Sequence, residues 1–485
     1  MHVLPQSVGL IHFVGIGGIG MSGIAEILDS LGYQVQGSDV RHNSNTERLS
    51  QRGIRVHIGH DAGHLKNVSV VVISSAVKPG NIELDAARNL ALPVVKRADM
   101  LAEIMRLKPS IAIGGTHGKT TTTSMLATLL TSAGLDPTVV SGGIINAYGT
   151  NARLGDGDWV VAEADESDGS FTRLPATMAI VTNIDPEHLE HYGSYQALKD
   201  SFRDFVENIP FYGLGIVCYD HETVRDLYLP LTDRRVLSYG LDYKEADLKA
   251  ENISFCHEGS TFDVVLSPRL QRLCHLAPKD NRLEGLFLPV LGEHNVSNAL
   301  AAILAAMELG VSADKIREGL AHFRGVQRRF TYVGNLKGAA IIDDYAHHPT
   351  EISAVIKTAR QAYSGQVIAV VQPHRYSRLK DLFENFQKAL LLADKILITP
   401  VYAAGEAPIN SFNHHALGKS LRNLGGDAVA FDTMDELSSV LEETIHSKDC
   451  VLCMGAGDIT VWARQLPDLD KTESQKTPAM RQALC

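Results

Sequence analysis

Apolar and polar positions along this chain follow two rhythms. Through the first hundred residues, short β-rich runs (LIHFVGIG from Leu10, YQVQGSD from Tyr33, SVVVISSA from Ser69) alternate with helical stretches such as MSGIAEILDSLG from Met21. Apolar runs of strand length that alternate with helical periodicity predict a parallel α/β sheet. The Lys108-Pro109 step breaks the helical rhythm, and a fresh strand, SIAIGG from Ser110, opens onto a glycine-rich loop and a long helix. That series continues through DWVVAEAD and MAIVTNI, passes a more polar stretch at about 240–285 that predicts β-hairpins or an inserted loop region, and closes on the helix NVSNALAAILAAMELG. A third series, AAIIDDY, VIAVVQPH, KILITPV and VLCMGAGD, follows Arg329. The pattern therefore predicts an α/β protein of three domains, at 1–108, 109–328 and 329–466, with a loose polar tail over 467–485.

Composition narrows the class. A chain of 485 residues has room for about three cores. No apolar run reaches the roughly 18 residues of a membrane span, and the first ten residues lack a signal-peptide pattern, so a cytoplasmic protein without membrane partners is expected. Six cysteines, at 218, 256, 274, 450, 453 and 485, form no regular framework. Cys450 and Cys453 make a C-x-x-C, but within a buried-strand pattern that favours packing over metal or redox use. The net charge of −11 comes without a dense basic block and gives nucleic acid no electrostatic footing. Small anions must then be held by local sites.

Two glycine-rich loops carry the chemistry. Gly114-Gly115-Thr116-His117-Gly118-Lys119-Thr120-Thr121 joins a strand to a helix, so that backbone N–H groups converge on phosphate oxygens at a positive helix end. Lys119 can reach the β- and γ-phosphates, and Thr120 is the usual magnesium ligand of such loops. Only three residues separate Gly114 from Gly118, one fewer than in the common nucleotide loop. Earlier, Gly15, Gly17, Gly18 and Gly20 satisfy G-x-G-x-x-G after a strand, with Asp39 at the end of the next one. Alone, this loop says that a diphosphate sits on a helix N-terminus and that Asp39 can accept a ribose hydroxyl. NAD and a nucleotide-diphosphate sugar fit it equally.

Seven runs occur in order: GTHGKTT, EADESDGSF from Glu163, NIDPEHLEHYG from Asn183, GEHNVSNALAA from Gly292, RRF, DDYAHHPTE from Asp343 and HRYSR from His374. Together they resemble the Mur ligases over nearly the whole chain. The resemblance implies a Rossmann-like first domain that binds UDP rather than a nicotinamide, a central P-loop ATPase-like domain whose shortened loop is the family's own, and a Rossmann-like third domain. It implies ATP and Mg2+ as cofactors, UDP-N-acetylmuramate and L-alanine as substrates, an acyl-phosphate intermediate, and a monomer or weak homodimer.

Residue roles follow from the same resemblance. Glu163 and His188 join Thr120 as metal ligands, with Asp165, Glu166 and Asp168 crowding the same acidic turn and His191 as the rival histidine. Gly115, Thr116, His117, Gly118, Lys119, Thr120 and Thr121 bind ATP, together with Asn295 and Asn298, which lie three apart on one helix face; Asn295 also reads as a simple helix cap. Arg329 approaches the phosphates and Asp344 the ribose. The UDP-sugar falls to Gly15, Gly17, Gly18, Gly20, Ser38, Asp39, Ser74 and Ser75. Tyr345, His347, His348, Arg375 and Arg378 line the amino-acid site, the arginines binding its carboxylate. Lys119, Glu163, His188 and Arg329 are the expected catalytic set. Lys199 lies where sister ligases carry a carbamoylated lysine, a modification this branch does not require. Motifs spread over the second and third domains imply closure about hinges near Lys108 and Arg329.

Overall fold

The computed structural model describes residues 8–468 except 75, 257, 275, 276 and 278–280. The first series folds as a five-stranded parallel sheet of β1 (Leu10–Val14), β2 (Val35–Asp39), β3 (Arg55–Ile58), β4 (Val68–Ile73) and β5 (Val94–Lys96), in the order β3-β2-β1-β4-β5. Helices α1 (Ile19–Ser30), α2 (Ser44–Gln51), α3 (Ile82–Asn89) and α4 (Arg97–Met105) connect or follow these strands. The strand order reverses between β1 and β4, and the crevice beyond their carboxyl ends is where open α/β sheets take ligands. The glycine loop after β1 opens there.

The second series builds a ten-stranded sheet from β6 (Ser110–Gly114), β7 (Thr138–Ile145), β8 (Thr150–Arg153), β9 (Val160–Glu163), β10 (Met178–Val181), β11 (Leu214–Cys218), β12 (Val236–Gly240), β13 (Leu248–Cys256), β14 (Gly259–Leu266) and β15 (Arg282–Leu288). Its order is β15-β14-β13-β12-β11-β10-β6-β9-β7-β8, so the polar stretch at 240–285 extends the sheet at one edge. Helix α5 (Lys119–Ser132) follows β6 and is buried from Thr120 to Leu130 despite its many hydroxyls. Ser124 and Thr128 donate to the carbonyls of Thr120 and Ser124, each at 2.8 Å, which lets polar side chains sit in the core. On the other side of β6, Phe202 and Phe205 pack on Phe171 with ring centroids 5.0 and 5.1 Å away. A side chain at Gly114 would meet Phe205 at 3.2 Å, so glycine lets the strand end settle on this aromatic floor. Truncating Phe202 to alanine is expected to cost about 3–5 kcal/mol.

The third series gives a six-stranded sheet, β16-β17-β21-β18-β19-β20, from β16 (Thr331–Leu336), β17 (Ala339–Asp344), β18 (Val367–Val371), β19 (Lys395–Ile398), β20 (Ala428–Ala430) and β21 (Cys450–Met454). Only β16 runs antiparallel to its neighbour. Cys450 and Cys453 lie buried in β21 as free thiols, their pKa pushed up by burial. Leu466–Asp468 make a 3-10 turn, and the remainder of the expected tail lies outside the described residues. Among the described residues, no helix is long and apolar enough to cross a membrane.

The chain forms two compact units. Among the described residues, one comprises those up to Ile253, Thr261–Pro289 and Asn295–Val326, and the other Ser254–Ser260, Val290–His294 and those from Gln327 on. Apart from the joined ends of β13 and β14, the first two sheets thus belong to a single unit. Within it, α1 packs on β8 so closely that a side chain at Gly23 would meet Asn151 at 2.7 Å. Arg48 bridges Glu26 at 2.6 Å and Asn151 at 2.9 Å, while Thr150 donates to Glu26 at 3.0 Å. These bonds satisfy a carboxylate that packing has taken out of water.

Candidate active site

The loop after β6 is braced from the turn that follows β10. Thr116 N–H donates to the Asn183 carbonyl at 3.1 Å, His117 N–H to the Asn183 side chain at 2.7 Å, and Thr182 Oγ1 to the His117 carbonyl at 2.6 Å. A Cβ at Gly115, where φ is +129°, would sit 2.0 Å from Thr182 Oγ1, so only glycine fits this approach. Gly118 (φ +83°) caps α5, and Asn298 Oδ1 lies 2.5 Å from the position of a Cβ there. Asn295 stands in the same first turns of the helix Glu293–Glu308 and accepts from Asn298 at 3.5 Å, so it is inside that helix rather than at its cap. Thr121 is buried on α5.

Lys119 Nζ donates to the carbonyls of Gly115 (2.5 Å) and Thr116 (3.1 Å) and pairs with Glu166 Oε2 at 2.7 Å. Burial disfavours its charge, but Glu166 and Glu163 outweigh this and raise its pKa. Burial likewise pushes Glu166 up to about 7, with Lys119 opposing the shift. Thr120 Oγ1 donates to Glu163 Oε2 at 2.9 Å, and Gly142 N–H donates to the same oxygen at 2.7 Å. The acids of the crowded turn separate by partner: Asp165 takes Arg97 (2.8 Å), Glu166 takes Lys119, and Asp168 accepts from the backbone of Ser170 at 3.1 Å.

His188 adopts a left-handed backbone (φ 55°) and places Nε2 3.8 Å from Glu166 and 3.7 Å from Glu187. Burial lowers its pKa, against Glu187 and Glu190. Ligand atoms of Glu166, Glu187 and His188 lie within 4.8 Å of one another, a second donor group beside Thr120 and Glu163. His191 instead packs edge-on against Tyr192. His117 pairs with Asp185 at 3.2 Å, and Asp185 also meets His221 at 3.3 Å; against the effect of burial, these histidines hold its carboxyl well below the usual range. Lys199 lies over the Tyr195 ring at 5.2 Å.

In the first sheet, Gly15 and Ile16 donate to the Ser38 carbonyl at 2.8 and 3.0 Å, and Gly17 donates to Asp39 Oδ2 at 2.9 Å. Asp39 therefore shapes the loop itself. The Ser38 hydroxyl turns inward to Glu83 at 2.5 Å. Ser74 lies beside Gly15, while Ser75 is outside the described residues. A cavity of about 320 Å³ runs from Gly18, Gly20 and Ser74 to Gly142, Glu163 and Asp165. It joins the carboxyl ends of the first sheet to the acid that faces Thr120.

Glu83 is fully buried and is met by His64 at 2.7 Å, His60 at 3.0 Å and His12 at 3.5 Å. Burial alone raises its pKa, yet hydrogen bonds from His12, Ser38 and His64 prevail and lower it to about 2. A folded-state value below the unfolded one gives stability that is complete above pH 4.5 and disappears as pH falls to about 2. The amount is of order 3 kcal/mol. Calorimetric melting between pH 6 and pH 3 is expected to show this loss in the native protein and a flatter profile in Glu83→Gln; equal slopes would refute the assignment.

The second unit holds the remaining candidates. Arg329 lies 3.7 Å from Glu351, with its guanidinium carbon 5.5 Å from the centre of the Tyr345 ring. Asp344 accepts from the amides of Phe330 (2.6 Å) and Ala346 (2.7 Å), and burial, against Arg329, raises it to about 6. His348 caps the helix Pro349–Ala362 in a box with Glu351. Tyr345, His347, His374 and Tyr402 form a ladder of rings spaced 5.2–5.7 Å. Arg375 stands at the carboxyl side of β18 with φ 68°, and Arg378 Nη1 is buried with no hydrogen-bond partner among the described residues. The sequence reading passed over Glu187, His374 and Arg97. Of these, Glu187 adjoins His188 and His374 opens the HRYSR run, but Arg97 has no motif of its own.

Three family models match the chain in order: "Mur ligase family, catalytic domain" over residues 10–109, "Mur ligase middle domain" over 113–306, and "Mur ligase, glutamate ligase domain" over 328–457. UDP-N-acetylmuramate–L-alanine ligases of a Chelativorans species and of Ruegeria pomeroyi are 54% and 56% identical, each match covering 96% of this chain and 98% of the relative. The solved UDP-N-acetylmuramate–alanine ligase of Thermotoga maritima is 31% identical with a TM-score of 0.79, covering 96% of this chain and all of its own. A murein peptide ligase from Psychrobacter arcticus shares the fold at 24% identity and a TM-score of 0.68, covering 94% of this chain and 98% of its own. The shortened phosphate loop, the acid facing its threonine and the three sheets in sequence have their explanation in descent: the chain belongs to the Mur ligase family.

Proposed function

We propose that this chain joins L-alanine to the carboxylate of UDP-N-acetylmuramate at the expense of ATP, a step of peptidoglycan precursor synthesis in the cytoplasm. The observation that carries this reading is the cavity that connects the glycine loop of the first sheet to Glu163 in the second. A nicotinamide enzyme has no use for a phosphate loop beside its dinucleotide loop. A ligase needs both, because a carboxylate borne by one nucleotide must reach the terminal phosphate of another. The high identity to L-alanine ligases over full length supports the choice of substrates.

In this reading the loop amides of 115–118, Lys119, Thr121, Asn295 and Asn298 bind ATP, and the family resemblance assigns Arg329 and Asp344 to the same nucleotide. The donor set fits a divalent cation: Thr120 Oγ1 and Glu163 Oε2 are hard oxygens 2.9 Å apart, and Glu166, Glu187 and His188 form a second group. Bound there, Mg2+ supplies charge neutralisation for the crowded phosphate and carboxylate oxygens. Lys119 holds the terminal phosphates while the sugar carboxylate attacks the γ-phosphorus and ADP leaves. The resulting acyl phosphate is attacked at its carbonyl carbon by the neutral amine of L-alanine; the C–N bond forms, the C–O bond breaks, and phosphate departs with the proton the amine gives up. Tyr345, His347, His348, Arg375 and Arg378 hold the amino acid, and Nη1 of Arg378, without a hydrogen-bond partner among the described residues, supports a carboxylate there.

Phosphate release with ATP, Mg2+ and UDP-N-acetylmuramate tests the reading. Release is expected to depend on L-alanine. Dependence on L-alanyl-γ-D-glutamyl-diaminopimelate instead would move the protein to the recycling branch and overturn the amino-acid site.

A further inference from the structure

Arg97 is the first residue of α4, at the carboxyl end of β5. Its Nη2 donates to Asp165 Oδ2 at 2.8 Å, its only hydrogen-bond partner among the described residues. Its Nη1 lies 3.0 Å from where a Cβ on Gly20 would stand, so the guanidinium rests directly on the first turn of α1. Among the described residues it is the one cationic side chain lining the cavity that leads from the glycine loop to Glu163, whose other charged lining groups are the acids Glu163 and Asp165.

This placement meets a definite need. The diphosphate of a sugar nucleotide is served by backbone amides at the start of α1. The reacting carboxylate lies beyond those amides and must approach Glu163 and Asp165, both carrying its own sign. Lys119 is turned away to Glu166. A guanidinium fixed at one edge by Asp165, with no other hydrogen-bond partner among the described residues, can take a planar carboxylate through two parallel hydrogen bonds.

Resting on the function proposed above, we infer that Arg97 binds the reacting carboxylate of the sugar nucleotide and makes the enzyme demand a carboxylate-bearing sugar, with Asp165 as the positioning residue that orients the guanidinium. The lactyl ether of muramate is what distinguishes this substrate from UDP-N-acetylglucosamine, so the two nucleotides form the probe. Titration calorimetry on the full chain without ATP is expected to show tighter binding of UDP-N-acetylmuramate by tenfold or more. In Arg97→Ala the preference collapses to within about twofold, while affinity for UDP-N-acetylglucosamine stays within about twofold of the parent. Arg97→Lys keeps part of the preference, because the charge remains without the fork. Asp165→Asn falls between parent and Arg97→Ala, and in steady state KM rises for the sugar nucleotide but not for ATP. Equal weakening of both ligands in Arg97→Ala would assign the side chain to the diphosphate or to folding and overturn the inference. An undiminished preference would overturn it too. A parent protein indifferent to the two sugars would overturn the substrate reading itself, and this inference with it.

Discussion

Replacing Lys119 with alanine is expected to lower kcat about a thousandfold, equivalent to about 4 kcal/mol of transition-state stabilisation. Lys119 is held at the loop by the carbonyls of Gly115 and Thr116, in place for charge that develops on transferring phosphate oxygens. Its removal strands Glu166, a buried carboxylate, which would ordinarily be severe for folding. Glu166 is already raised to about 7 by burial, and loss of the lysine removes the interaction that opposes that rise. It can therefore protonate, and the melting temperature is expected to fall by only a few degrees. Arginine is not expected to restore activity, since the ammonium sits 2.5 Å from the Gly115 carbonyl where a planar fork has no room. Phosphate release and calorimetric melting measured on the same preparations separate the two effects. An alanine variant within tenfold of the parent rate would remove Lys119 from the chemistry.

The second large effect is expected at Glu163. Glu163→Gln keeps an oxygen to accept from Thr120 and Gly142 but loses the negative charge, so kcat should fall about a hundredfold or more and the Mg2+ concentration for half-maximal rate should rise. Asp165→Asn provides the control within the same turn. It weakens the bond to Arg97 and is expected to raise the KM of the sugar nucleotide while leaving the Mg2+ dependence unchanged. A Mg2+ titration of both variants decides among the acids of this turn, because each has a different neighbour. If Asp165→Asn moved the Mg2+ curve and Glu163→Gln did not, the proposed ligand would be wrong.

Much of the candidate site was legible because it is local. Gly15, Gly17, Gly115 and Gly118 announce tight turns at strand ends, and a strand, a glycine loop and a helix suffice to place backbone amides on a phosphate. The neighbours of those loops were less legible. Nothing near Asp165 in the sequence points to Arg97, 68 residues earlier, and nothing near Ser38 points to Glu83, 45 residues later. His348 reads as one of a motif pair, yet its ring caps a helix; Asp39 reads as a ribose acceptor, yet one of its oxygens holds Gly17 N–H. A motif records which side chains a family keeps, without telling whether each faces ligand or backbone.

The sequence by itself determined the alternation of strand and helix, the two glycine loops and the family, since these depend on residue spacing along the backbone and on local conformational preference. Only the tertiary structure decided that the first two sheets, apart from the joined ends of β13 and β14, form one unit and that a single cavity joins the glycine loop to Glu163. It also decided which partner each acid of the crowded turn receives. Those outcomes depend on which buried charges packing brings within hydrogen-bond reach, and a buried charge must be met by whatever partner the fold supplies, however distant along the chain.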